Sequence, residues 1–311
     1  MVKQKHKPGE RWGKKYMDKR DWPVYNPQLI KQGEYLLDTD LLENWDDELA
    51  VANENKVGAP FRFPKSLIHL QAIWHVKRIP FRMIEGMTIR LVELARLPDS
   101  NSYSTVNRRV NALPFELEIP KGDNLVVFAD GISFRVVEGG EYLREKYGKK
   151  NRRWVQVVIL GDPVTKEPVS FEVNIIQSSE LESAKEQLVD LKRQGIPIVA
   201  FGGDGAFDEI NLWNWLDFMN MKSLIKPDAN AKEDSESALR NMAVKWRNAY
   251  GYKKWQKKTG YGHRWPATEG IFGAIKVMFG EELHAQSEYG LIQEAGLKFW
   301  AYQKLKRYGE A

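Results

Sequence analysis

A chain of 311 residues, 42% hydrophobic and 29% charged, has a globular make-up and, at roughly 150 residues per domain, is long enough for about two domains. It has no cysteine, which excludes disulfide scaffolds, thiolate zinc sites and cysteine nucleophiles; no run reaches the roughly 18 uncharged apolar residues of a membrane span and the Lys-rich start lacks a signal peptide's apolar stretch, so a cytoplasmic protein is expected. The net charge of +5 is segregated, with eight Lys/Arg against two acids in residues 1–20, seven acids and no base in 37–55, six bases and one acid in 144–153, and seven bases and no acid in 241–268, a distribution that favours a polyanionic partner.

In chain order, the acidic stretch 37–55 reads as the solvated face of a helix. Residues 65–79 place Leu67, Ile68, Leu70, Ile73, Trp74 and Val76 mostly on one face before Pro80. Residues 81–97 repeat apolar positions at helical spacing, and Ser104 is positioned to cap a third helix over 105–113, ahead of Pro114. Three short helices with Arg108 and Arg109 on the last suit a helix-turn-helix entering a major groove. Plain three-helix packing gives the same pattern.

After Pro120 the pattern becomes that of strands. Residues 124–130 form a short apolar, β-branched run, 132–137 continue extended, and 153–160 and 169–174 are two more strands with a turn around Gly161-Asp162-Pro163. Ser179-x-x-Glu182 is a capping box for a helix that ends at Gly195. A buried strand at 196–201 leads into Gly202-Gly203-Asp204-Gly205. A helix over 207–220, an edge strand over 222–226 and helices over 268–279 and 285–307 follow. Three strands in an antiparallel meander, then a strand returning parallel after a helix, is the ribonuclease H type of α/β fold. The expected organisation is an N-terminal extension (1–64), a helical, helix-turn-helix-like region (65–119) and a ribonuclease H-like domain (120–311).

That topology gives three acids a common destination. Asp130 ends the first strand, Asp204 follows the strand expected beside it, and Glu269 opens a late helix able to cross the sheet. Glycine flanks each, an arrangement that permits close approach of a phosphate backbone. Oxygen ligands without Cys or paired His suit Mg²⁺ or Mn²⁺, and two such ions about 4 Å apart assist in-line phosphoryl transfer. Lys276 lies seven residues after Glu269 on the same helix face, within reach of phosphate, as is Arg264 from the preceding loop. Upstream, Trp246, Tyr250, Tyr252, Trp255, Tyr261 and Trp265 interleave with Lys245, Arg247, Lys253, Lys254, Lys257, Lys258 and Arg264. Cations fix phosphates while aromatic faces stack on bases, so this mixture suits nucleic acid. A solvated basic loop with its aromatics turned inward is the plainer alternative.

These residues resemble the DDE transposases of prokaryotic insertion sequences, specifically the insertion-sequence-five group. The resemblance runs through DWPVYNPQLIKQGEYLLD (21–38), PFRMIEGM (80–87) and YSTVNRRV (103–110), then VVFADG with Asp130 and GGDGAFD with Asp204. The family's Tyr-Arg-Glu-Lys signature is matched by Tyr261, Arg264, Glu269 and Lys276, with four residues between Arg264 and Glu269 where the usual pattern has three. The resemblance implies a metal-bound triad, cleavage at inverted-repeat ends and joining to target double-stranded DNA, carried out by a homodimer in a synaptic complex. A related nuclease that cuts without joining, and a domesticated DNA-binding protein without activity, are the rival readings.

Overall fold

The computed structural model describes residues 20–137, 153–175 and 178–311, with the backbone of a small ladder, Glu10–Arg11 against Lys14–Lys15. Apart from Arg20 and Arg153, the basic clusters at 1–20 and 144–153 lie outside the described residues. The main sheet contains β1 (Leu125–Val136), β2 (Trp154–Asp162), β3 (Glu167–Asn174), β4 (Ile198–Gly203) and β5 (Lys222–Ile225) in the order β3-β2-β1-β4-β5. The β1–β2 and β2–β3 pairs are antiparallel, and β4 and β5 run parallel to β1. This is the strand order expected from the sequence, with β5 at the edge. A further two-residue strand, β6 (Glu282–Leu283), pairs parallel with Arg135 and Val136 at the far end of β1.

The two extended stretches expected around Asp130 are one strand of 12 residues. Its ladder with β2 runs without a break from Phe128 opposite Gly161 to Arg135 opposite Trp154. Gly161 and Asp162 accordingly belong to β2, and the reversal falls just after them. Alternation along the strands sorts side chains between two layers. Ile132, Phe134, Val136, Val155, Val157 and Ile159 join one apolar cluster; Leu125, Val127, Ala129, Val158 and Leu160 join the other.

The second layer is closed by α6 (Glu180–Arg193) and α7 (Ile210–Phe218), buried through residues such as Leu181, Leu188, Leu212 and Trp213. The first is closed by α10 (Glu269–Phe279) and α11 (Glu288–Glu310), and it continues into the N-terminal helices. These are α1 (Trp22–Glu34), α2 (Trp45–Asn53), α3 (Lys65–Val76), α4 (Phe81–Glu93) and α5 (Tyr103–Asn111). The region 65–119 and the sheet therefore share one core. The cap of α5 is Ser102, whose hydroxyl accepts from the Thr105 amide, and the helix starts two residues earlier than expected. In the acidic stretch, α2 buries Trp45 and leaves Asp46 and Asp47 exposed. Between β5 and α10 lie α8 (Ala238–Tyr250) and α9 (Tyr252–Thr259), then a helical turn at Arg264–Ala267.

Candidate functional site

The register of the central parallel pair aligns the first two acids. The last paired residues are Phe128 and Gly202, and two residues beyond them stand Asp130 and Asp204. Parallel neighbours lie about 4.8 Å apart, so both carboxylates emerge side by side where β4 has ended and this edge of β1 is open. Asp204 is extended and caps the 3₁₀ turn Gly205–Phe207, its Oδ1 accepting from the Ala206 amide at 2.8 Å.

Glu269 arrives from the other direction. The turn Arg264–Ala267 lies directly on β2 because Gly161 has no side chain: a Cβ there would overlap the Ala267 carbonyl. This close approach sets the start of α10, where Glu269 occupies the first turn while Ile271, Phe272, Ile275 and Phe279 are buried. Thr268, fully buried, ties the corner together by donating its hydroxyl to the Arg264 carbonyl at 3.1 Å.

One guanidinium joins the two sides. Arg264 Nη1 donates to Asp130 Oδ2 at 2.7 Å, and Nη2 donates to Glu269 Oε1 at 2.6 Å. Asp130 also accepts from the Gly131 amide at 2.9 Å. Burial raises the Asp130 carboxyl above its usual range; Arg264 and the Gly131 amide oppose that shift and Asp204 adds to it. The Arg264 charge is secured against its own burial by Tyr261, Asp130 and Glu269. Burial pushes the Tyr261 phenol up to about 12, with Arg264 opposing.

The donor set is all oxygen, which is the chemistry of Mg²⁺ or Mn²⁺, and a cationic group already lies between two of its members. Among the described residues no three Asp, Glu or His side chains are gathered tightly enough to hold an ion as they stand. Arg264 fills that position between Asp130 and Glu269. The residues thus fit a divalent cation, provided the guanidinium yields to it.

Sequence reasoning passed over Glu180, the first residue of α6. Its Oε1 accepts from Gln156 Nε2 at 3.1 Å, and burial raises its carboxyl, with Gln156 opposing and Asp130 and Asp204 adding to the shift. The capping box drew attention to Ser179 and Glu182 and away from the acid between them. Gly131, read as room for a phosphate, instead makes room for Glu180, and the missing Cβ of Gly203 is taken up by the Phe207 ring.

The remaining candidates divide by exposure. Lys253, Lys254, Lys257 and Lys258 are exposed on α9. Trp255 requires a correction: its indole is 2% exposed, 5.3 Å from the Tyr261 ring and 6.1 Å from Tyr252. A ring used to anchor α9 in this way presents no face for a base. Tyr261 is likewise buried, whereas Trp246, Tyr250, Tyr252 and Trp265 are the exposed aromatics of this region. Lys276 lies in the last turn of α10 and pairs with Glu281 at 3.4 Å. On α5, Arg108 is exposed, while Arg109 lies 4.3 Å over the Phe61 ring and donates to the Phe63 carbonyl. Both line a cleft of about 560 Å³ with Lys56, Arg62, Ser102 and Thr105.

A family model described as a transposase DDE domain matches residues 121–303, and a second model with the same description matches residues 30–138. No curated protein matches the chain. Among solved structures, the Mos1 transposase paired-end complex with left transposon end is 11% identical, covering 72% of this chain and 81% of that one. Its TM-score of 0.25 is too low to carry any argument. Among the described residues no helix is long and apolar enough to cross a membrane.

Proposed function

Because the chain belongs to the transposase DDE-domain family, we propose that it is an insertion-sequence transposase of the insertion-sequence-five group. In this reading it binds inverted-repeat ends, cleaves them and joins them to target DNA in the cytoplasm of a prokaryotic host. The observation that carries the proposal is the meeting of Asp130, Arg264 and Glu269 through a single guanidinium, with Asp204 in register beside Asp130.

Asp130, Asp204 and Glu269 would hold Mg²⁺ or Mn²⁺. When bound, the divalent charge supplies activation of a water or 3′-hydroxyl and stabilisation of the leaving oxygen. Arg264 then exchanges its carboxylate partners for a phosphate oxygen, a change its planar fork accommodates with the same two donors. Lys276, in the last turn of the same helix, grips the phosphate strand as a point charge. The α9 lysines, with Trp246, Tyr250 and Tyr252 exposed beside them, extend this grip along the transposon end. The region 65–119 acts as the helix-turn-helix-like reader of the terminal repeat, Arg108 and the cleft at the start of α5 facing the DNA, and residues 1–64 form its extension. Two ends must be joined, so the working unit is a homodimer.

The test uses labelled terminal-repeat DNA, Mg²⁺ and a target plasmid. The wild type nicks the end and transfers it; Asp130→Asn binds the same DNA but neither nicks nor joins it. Cleavage retained by that variant removes the triad, and free ends with no joined product convert the enzyme into a nuclease.

A further inference from the structure

A fourth acid shares the open edge of β1. Glu180 begins α6, on the layer opposite α10, and its carboxylate comes down on the strand at Gly131; a Cβ at that position would overlap it. The strand backbone at the residue after Asp130 is thus shaped around the Glu180 head group. Glu180 stands within electrostatic range of both Asp130 and Asp204. A first-turn acid serving only the helix dipole would face solvent, and Glu182, two residues on, does so. Glu180 is turned inward and held there. Gln156, a buried residue of β2, donates to it through Nε2, while Gln156 Oε1 accepts from the Ser178 amide at 3.1 Å. That clamp fixes the entrance to α6 and the acid together.

Bringing a third carboxylate beside Asp130 and Asp204 is electrostatically costly unless positive charge arrives to offset it. Arg264 serves Asp130 and Glu269 from the α10 side and makes no hydrogen bond to Glu180. We propose that Glu180 is a fourth oxygen ligand for the divalent cation held at Asp130 and Asp204, with Gln156 as its positioning residue. This rests on the metal-dependent reading of the triad and adds a member from the opposite layer.

Mn²⁺ titration of the full chain, followed by electron paramagnetic resonance of the free ion, tests the proposal without reference to activity. Glu180→Gln preserves size and still accepts from Gln156, and it should weaken Mn²⁺ binding at least about tenfold, with Glu180→Asp partly restoring it. Gln156→Met keeps every acid but frees Glu180, and should weaken binding by about tenfold; it carries the test if Glu180→Gln does not fold. If Asp130→Asn loses Mn²⁺ while Glu180→Gln and Gln156→Met bind as the wild type does, Glu180 is outside the site and the triad stands. If Asp130→Asn also binds as the wild type, the metal reading falls and takes the fourth ligand with it.

Discussion

Arg264→Gln isolates what the bridging guanidinium contributes. Asp130 is 20% exposed and Glu269 50% exposed in this arrangement, so the two bonds are not equivalent. Losing a charge-assisted hydrogen bond to the more buried Asp130 costs about 1.5–3 kcal/mol, and losing the half-exposed pair with Glu269 adds about 0–1 kcal/mol. The variant should therefore be about 2–3 kcal/mol less stable at pH 8 in the absence of divalent ions. The sign with pH follows from Asp130. Burial already raises its carboxyl in the folded state, and Arg264 is the strongest opposing influence, so removing it raises the carboxyl further. The folded variant then takes up a proton more readily than the unfolded chain, and its deficit shrinks as pH falls through the carboxylate range.

Mg²⁺ supplies a second readout. An ion binding only the folded protein at a hundredfold excess over its Kd stabilises by about 2.7 kcal/mol. With Gln at 264 the ion has no guanidinium to displace, so Mg²⁺ should raise the urea midpoint of the variant more than that of the wild type. Urea denaturation at pH 8 and pH 5, with and without Mg²⁺, measures all of this. A deficit equal at both pH values, together with no excess response to Mg²⁺, refutes the picture of Arg264 holding a cation's place.

Two further perturbations probe the frame around the site. The buried carboxylate of Asp208 accepts from Arg240 Nε and Nη2 at 2.8 Å each, from Trp213 Nε1 and from the Asp228 amide; Asp208→Asn should cost about 3–5 kcal/mol in urea unfolding, as breaking a buried ion pair does, while the folded fraction cleaves normally. Burial lowers the Lys298 ammonium to about 8, so between pH 8 and its ordinary value the unfolded chain holds more protons and wild-type stability should rise with pH; Lys298→Met should flatten that rise in urea midpoints taken at pH 7.5 and pH 10.

Most of the sheet was legible because its strands are short apolar runs bounded by Gly, Pro and Asp, and because a helix between Asn174 and Ile198 requires a parallel return. Asp130 and Asp204 were legible for the same reason, since both follow directly from strand ends. Helices α8 and α9 were harder to see. Their apolar positions are few and their lysines many, so the pattern read as a basic segment, and nothing in it distinguished Trp255, which anchors α9, from Trp246, which faces outward. Glu180 was illegible for a different reason. Its role depends on a missing Cβ at Gly131, far away in the chain, and no local periodicity reports such a vacancy. The link between Arg264 and Asp130 depends likewise on how closely a turn can lie on Gly161.

How the helical region is held against the sheet bears on how the two would act together. Along α11, three buried polar side chains each serve a different part of the molecule. Gln293 donates to the carbonyls of Val110 and Leu113 at the end of α5. Lys298 donates to those of Phe279, Gly280 and Glu282, where α10 ends and β6 begins. Gln303 donates to Glu118 and Pro168, joining the segment after α5 to the start of β3. Each carbonyl would be left unsatisfied in the core if α11 shifted by a turn, at about 1–3 kcal/mol apiece. The helix that supports Glu269 from below is therefore the one that fixes α5. Arg108 and the cleft beside it stand at a set distance from the carboxylates, and DNA engaged by the helical region would meet Asp130 in a register determined by α11.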